Sequence, residues 1–321
     1  MNHAEHAING QPQHCAYGEL IAGLQSEQKT IDPKYFYDAA GSCLFDQITS
    51  LPEYYPTRTE TAILKHHAEA IARHIGTQRT IIEPGAGSCE KIRHLIPALQ
   101  PSCYVPVDIS HDYLSDAVTS LNQTYPELCI EPVAGDFSRA ISLPESVSYQ
   151  SALIFYPGST IGNFEPAEAV KFLQGMRGLI GPEGMILVGV DLHKATKTLA
   201  AAYNDHAGVT AAFNRNILRH LNGLLGADFE PDLFQHHAFY NENERRIEMH
   251  LVSAVEQIVT CRNDQLHFAA GESIHTENSY KYTLRDFSSL VEKAGLKLEQ
   301  SWTDDEHLFS VNLLSVVNSR G

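Results

Sequence analysis

Thr80-Ile81-Ile82-Glu83-Pro84-Gly85-Ala86-Gly87-Ser88 is an apolar run closed by an acid and two closely spaced glycines. The run has the length of a buried strand, and the glycines permit a tight turn with close approach of a ligand to the backbone. Beyond the turn, Lys91, Ile92, Leu95 and Ile96 follow at helical spacing. Strand, glycine turn and helix predict the opening βα unit of a parallel sheet.

The pattern repeats downstream. Strands are expected at residues 80–83, 103–107, 129–134, 152–156 and 185–190. A helix is expected from Asp112, carrying Leu114, Ala117 and Leu121 toward Pro126. Another begins at Pro166, with Ala169, Phe172, Leu173, Met176, Leu179 and Ile180 on one face, and stops at Gly181-Pro182. After Asp191 the alternation lapses for about ninety residues. It resumes with a helix at 284–294 and strands at 296–302 and 309–316. This predicts an α/β protein with a Rossmann-like domain from residues 60–195 and 283–321. A second, substrate-binding domain would come from 8–59 and 196–282, with a cleft between the two.

The glycine turn departs from a dinucleotide loop, because GxGxxG requires a third glycine where this chain has Glu90. A carboxylate there opposes a pyrophosphate at a helix N-terminus and disfavours a nicotinamide oxidoreductase. S-adenosylmethionine carries no phosphate, and Glu83 can face its ammonium group. Asp108 ends the second strand, where a carboxylate can accept from both ribose hydroxyls. Asp136-Phe137 ends the third, offering a carboxylate and a ring to adenine. Each acid alone reads equally as a loop cap, but three at successive strand ends predict a cofactor site.

Composition narrows the partners. A net charge of -16 without a dense basic run argues against nucleic acid. No apolar stretch is long enough to span a membrane, and residues 1–6 lack a basic region followed by an apolar one, so a cytoplasmic protein is expected. Six scattered cysteines without a CxxC predict structural thiols. Seventeen histidines raise the question of a metal, but His66-His67 and His236-His237 put neighbours on different faces and no HExxH occurs. No metal and no protein partner are predicted.

Longer motifs carry a resemblance. They are Pro33-Lys34-Tyr35-Phe36-Tyr37-Asp38, Gly41-Ser42-Cys43-Leu44-Phe45-Asp46-Gln47-Ile48-Thr49, Leu51-Pro52-Glu53-Tyr54-Tyr55-Pro56-Thr57-Arg58-Thr59-Glu60 and Gly158-Ser159-Thr160-Ile161-Gly162-Asn163. To these add Ala207-Gly208-Val209-Thr210-Ala211-Ala212-Phe213-Asn214-Arg215-Asn216, Arg246-Ile247-Glu248-Met249 and Thr276-Glu277-Asn278-Ser279. From about residue 33 onward the chain resembles the histidine-specific Nα-methyltransferases of ergothioneine biosynthesis. It departs from them at Pro84 and Ala86, where leucine and serine are common.

The resemblance implies up to three methyl transfers from S-adenosylmethionine to the α-amine of L-histidine, giving the trimethylated betaine hercynine. It places Gly85, Gly87, Lys91, Asp108, Asp136 and Phe137 around the cofactor. Asn163 and Tyr203 would hold the substrate carboxylate. Tyr37 and Gly158 would lie near the amine, and these two with Asn163 form the expected catalytic set. Phe45, Tyr54, Met249, Glu277 and Ser279 would surround the imidazole. The side-chain chemistry agrees: the Asn163 amide can bridge carboxylate and amine, while Glu277 and Ser279 can serve the two ring nitrogens. Rival readings are transfer to another aromatic amino acid and a non-catalytic small-molecule binder, which turnover on adding histidine would separate.

Overall fold

A computed structural model describes residues 13–137, 143–262 and 264–317. The sequence reading of residues 1–6 and the outermost parts of the expected domains, 8–12 and 318–321, fall outside these residues. The chain divides into two compact units, Met1–Tyr54 with Thr196–Asn278 and Tyr55–Ala195 with Ser279–Gly321. The joins at 55, 196 and 279 compare with expected joins at 60, 196 and 283.

The larger unit is built on a seven-stranded sheet. Its strand order is Leu296–Thr303, Phe309–Val316, Met185–Asp191, Leu153–Tyr156, Thr80–Pro84, Cys103–Asp108 and Val133–Ala134. The last five run parallel, while Phe309–Val316 pairs antiparallel with both its neighbours. Strand order reverses at Thr80–Pro84, because the chain moves to one side through Cys103–Asp108 and then returns to the other through Leu153–Tyr156. In such sheets ligands bind beyond the carboxyl ends of the strands at that reversal, and the glycine turn lies there.

Strand alternation sorts the apolar residues onto two faces. Ile81, Leu153 and Phe155 pack with Ile63, Leu64 and Ile71 of the Tyr55–Ile75 helix. Ile82, Ile154 and Tyr156 pack with Leu173 of the Pro166–Leu179 helix and Phe287 and Leu290 of the Leu284–Lys293 helix. Fully burying each such side chain contributes about 1.5–3 kcal/mol.

Three expectations are corrected here. Residues 91–96 form no continuous helix: a 3-10 turn at Ile92–His94 precedes a short helix at Ile96–Leu99. Pro97 has no N–H to continue a helical ladder, so the chain restarts there. The third strand is only Val133–Ala134, preceded by an isolated bridge from Tyr104 to Ile130. Pro132 supplies no donor between them. Leu179, expected on the buried helix face, is exposed at the end of its helix.

The smaller unit fills the region where the sequence alternation lapses. The helix Val209–Leu225 buries Phe213, Ile217, Leu218, Leu221 and Leu225 along one face. Asp205 accepts from the Val209 and Thr210 N–H groups at its start, and Gly226, at φ 58, ends it. It packs on a four-stranded sheet ordered Lys29–Thr30, Ser273–Tyr280, Arg246–Ser253 and Phe234–Asn241. Fully buried Asn214 locks helix to sheet: its amide nitrogen donates to the His250 carbonyl at 3.0 Å, and Thr276 donates to its oxygen at 2.8 Å.

Candidate active site

At the glycine turn, Gly85 and Gly87 have φ of 67 and 53, values a side chain would strain. The turn is tied to the neighbouring strand, because Gly85 and Ala86 both donate to the Val107 carbonyl. A Cβ on Gly85 would stand 3.2 Å from the Phe137 ring, which brings Phe137 onto the turn. A Cβ on Gly87 would meet nothing within 4 Å, leaving room for a ligand. Asp108 closes the arrangement, its two oxygens accepting from Gly87 N–H and Ser110 N–H at 2.9 Å each. Burial pushes the Asp108 carboxyl above its usual range, against the opposing pull of these donors.

Glu83 is buried below this turn and accepts from the Tyr104 hydroxyl at 2.6 Å. Burial pushes its carboxyl up to about 8 despite that bond. A cation arriving beside it would favour ionisation. Glu90, where a dinucleotide loop would need its third glycine, is largely exposed and paired with Arg93 at 3.0 Å. The open space at Gly87 and the acid at Asp108 are what fit an adenosyl ligand. Asp136 is half-buried one residue before Phe137.

A buried carboxylate that the sequence reading missed organises the next loop. Glu60, 1% exposed, pairs with Lys91 at 2.6 Å and accepts from the Gly158 N–H at 2.9 and 3.0 Å. Gly158 has φ 87, and a Cβ there would stand 3.3 Å from Lys91 Nζ. Lys91 and Gly158 are therefore held together by one side chain. Asn163 ends the 3-10 turn Thr160–Asn163, where a Cβ on Gly162 would come within 2.8 Å of the Tyr280 carbonyl. That close approach lets the turn lie against the chain at residue 280.

In the smaller unit the structure gathers four of the predicted rings. Tyr37 lies 5.7 Å from Phe45, Phe45 6.3 Å from Tyr54, and Tyr54 6.3 Å from Tyr203, all edge to face. Phe213, quoted above within a motif but given no role, touches both Tyr37 and Phe45 and stacks on Phe36 at 4.6 Å. Edge-to-face contacts contribute about 0.5–1.5 kcal/mol each and orient the rings. The residues around Tyr37 are its mounting: Asp38 accepts from Gly41 N–H at 2.7 Å and Asn216 at 2.8 Å. A Cβ on Gly41 would overlap the Phe36 carbonyl at 1.8 Å. Met249 is buried in the Arg246–Ser253 strand, and Glu277 and Ser279 lie near the end of Ser273–Tyr280.

Glu248, His250 and His275 bring potential ligand atoms within 4.8 Å, an arrangement the histidine count did not reveal. The His250 and His275 rings stack at 4.7 Å and 12°, so their in-plane lone pairs run side by side instead of converging on an ion. Glu248 is engaged by Arg246 at 2.8 Å, Asn241 at 2.9 Å and His250 at 3.1 Å. Burial pushes its carboxyl up, but these donors outweigh it and bring it down to about 2.

The parallel sheet with its antiparallel last strand, the glycine turn at the reversal of strand order and the acid at the next strand end define a Rossmann-like S-adenosylmethionine-dependent methyltransferase of class I. The model of the family "histidine-specific methyltransferase, SAM-dependent" matches residues 16–316, and the chain belongs to that family. It is 41% identical over 301 residues to the histidine N-alpha-methyltransferase of Mycolicibacterium smegmatis, covering 92% of this chain and 93% of that protein. The histidine N-alpha-methyltransferase of Mycobacterium tuberculosis is 40% identical with the same coverage. Ergothioneine biosynthesis protein 1 of Neurospora crassa is 30% identical over 277 residues, 83% of this chain and 31% of that protein. Among the described residues no helix is long and apolar enough to cross a membrane.

Proposed function

We propose that this protein methylates the α-amine of L-histidine up to three times, yielding Nα,Nα,Nα-trimethylhistidine in ergothioneine biosynthesis. It would act in the cytoplasm, where its free thiols stay reduced. The observation that carries the reading is the run of rings from Tyr37 through Phe45 and Tyr54 to Tyr203 in a chain whose family is histidine-specific. Bound S-adenosylmethionine supplies the methyl group and leaves as S-adenosylhomocysteine.

The chain's residues position and desolvate. Gly85, Gly87, Asp108, Asp136 and Phe137 hold the adenosyl group, with Glu83 and Lys91 toward its amino-acid end. Asn163 donates its amide N–H to the substrate carboxylate and accepts from the amine, and Tyr203 donates a further bond to the carboxylate. Tyr37 and the Gly158 backbone orient the amine. Phe45, Tyr54 and Met249 enclose the imidazole, while Glu277 accepts its N–H and Ser279 serves the other nitrogen. Alignment of a neutral amine supplies most of the acceleration. The test is to incubate the pure protein with S-adenosylmethionine and each of the twenty amino acids. Mass gains in methyl units should appear with histidine, and their absence defeats the reading.

Two variants examine the substrate side. Glu277→Ala should lower kcat/KM for histidine about tenfold to a hundredfold, from roughly 1.5–3 kcal/mol of lost charge-assisted bonding, with cofactor affinity unchanged. Undiminished histidine turnover would move the imidazole elsewhere. Tyr37→Phe should slow the first transfer more than the third, because neutral dimethylhistidine has no amine N–H left to orient. Comparing kcat/KM for histidine and dimethylhistidine in parent and variant measures this, and equal losses would show that Tyr37 does not act on the amine's protons.

A further inference from the structure

Two cysteines that the sequence scatters meet in the larger unit. Cys103 opens the Cys103–Asp108 strand and Cys129 lies 26 residues further on, yet their sulfurs stand 2.8 Å apart. The backbone sets this approach. Tyr104 bridges Ile130 in parallel register, its N–H donating to the Cys129 carbonyl at 2.8 Å and its carbonyl accepting from Glu131 N–H at 2.9 Å. One residue back on each segment, Cys103 and Cys129 are neighbours whose side chains share a face. Their contact is closer than that of carbon atoms in ordinary packing, about 3.5–4.0 Å. It is also too close for a metal ion between them, since two zinc–sulfur bonds of about 2.3 Å at a tetrahedral angle hold their sulfurs about 3.8 Å apart.

The two thiols differ in access. Cys129 is exposed, whereas Cys103 is buried at 5% exposure. Burial pushes the Cys103 thiol up to about 12, with the hydrogen bond and charge of Cys129 adding to the rise, which leaves Cys129 as the sulfur that an oxidant meets. Cys89 and Cys261 are buried, and Cys43 is exposed.

We propose that Cys103 and Cys129 form an oxidative modification site for peroxide, closing to a disulfide that staples the edge of the seven-stranded sheet. The Cys129 thiolate attacks one peroxide oxygen, the O–O bond breaks, and the departing hydroxide takes up a proton to leave as water. The Cys103 sulfur then attacks the resulting Cys129 sulfenic acid. The S–S bond forms, the S–O bond breaks, and the Cys103 proton leaves with the hydroxide as a second water. The two thiols give up two electrons and the peroxide takes them. Glutathione reopens the bond by thiol exchange, so closure in a reducing compartment is transient.

The staple falls where the sheet edge is poorly paired. Beyond Ile130, Pro132 has no N–H to offer, and pairing resumes only at Val133–Ala134, the last strand in the sheet order. Joining the two cysteines closes a loop of about 26 residues in the unfolded chain and lowers its entropy. The bond lies at the opposite end of its strand from Asp108, about 16 Å away at roughly 3.3 Å per residue. Closure therefore stabilises the edge without reshaping the glycine turn.

The experiment treats the reduced protein with a small excess of hydrogen peroxide and removes the peroxide with catalase. The remaining thiols are then blocked with iodoacetamide in denaturant, and peptides are mapped without reduction. The intact protein should lose about 2 Da before alkylation, a peptide joining Cys103 to Cys129 should appear, and dithiothreitol should restore both thiols. Cys129→Ser should abolish the link and leave Cys103 reduced, while Cys43 reacts as in the parent. The thermal midpoint of the oxidised parent should lie about 5 °C above that of the reduced parent, a difference absent from Cys129→Ser. Affinity for S-adenosylhomocysteine should stay within about twofold, as for sites this far apart. An unreactive pair overturns the proposal, and so does oxidation of Cys129 to sulfinic acid with no link to Cys103. Linked protein whose midpoint is not raised, or which no longer binds S-adenosylhomocysteine, overturns the stapling role.

Discussion

Replacing Asp108 with Ala lowers S-adenosylmethionine affinity about a hundredfold in a protein that still folds. One carboxylate is expected to do two things here. Its oxygens accept from the Gly87 and Ser110 N–H groups at 2.9 Å each, which latches the glycine turn, and they face the proposed ribose hydroxyls. Losing the charge-assisted ribose bonds costs about 1.5–3 kcal/mol, and the released turn adds to that, so a hundredfold loss, roughly 2.7 kcal/mol, is the central expectation. Asp108→Asn keeps one acceptor and should lose about tenfold on the same scale. The pH dependence has a definite sign: burial raises the Asp108 carboxyl, so affinity should begin to fall with acidification at a higher pH than an ordinary aspartate would impose. Calorimetric titration at several pH values measures all three effects. Unchanged affinity in folded Asp108→Ala removes this residue from the cofactor site.

Glu60→Ala should destabilise the protein by about 3 kcal/mol, toward the low end for breaking a buried ion pair because Lys91 retains some access to water. The loss strands two partners at once. Lys91 loses its 2.6 Å counter-ion and Gly158 N–H its acceptor. Glu60→Gln keeps a bond to Gly158 without the charge and should cost roughly half as much. Gly189→Ala should mimic the loss, because a Cβ there would fall 1.9 Å from Glu60 Oε1 and evict the carboxylate. Activity should drop beyond what stability explains, since Lys91 is proposed to lie at the amino-acid end of the cofactor and Gly158 near the amine. Urea denaturation with turnover assayed well below the unfolding transition separates the two effects. A stability loss under about 1 kcal/mol in Glu60→Ala would mean the pair is no more than a surface contact.

The sheet was legible because parallel strands covered on both faces are short, continuous apolar runs, and Ile81-Ile82, Val105 and Leu153 to Tyr156 are such runs. The third strand read poorly for the opposite reason: at the sheet edge, with Pro132 inside it, few groups are available to pair. In the smaller unit, Phe213, Ile217, Leu221 and Leu225 are spaced as a helix, but the strands beyond them carry histidines and carboxylates that veil a period of two. Aromatic site residues entered through long motifs whose own chemistry is partly structural, as Asp38 and Gly41 show.

What this sequence determines by itself is local: where an apolar run ends, where glycine releases the turn, and which acid stands at each strand end, because strand length and turn chemistry are properties of neighbouring residues. Glu60 and Lys281 could not be read that way. In sequence, Glu60 is an acid early in a helix and Lys281 a charge after a strand, both ordinary surface positions. Their burial against Gly158, 98 residues on, and Asp191, 90 residues back, is decided only when the sheet assembles, since a charge enters the interior at a tolerable cost only where distant partners meet it.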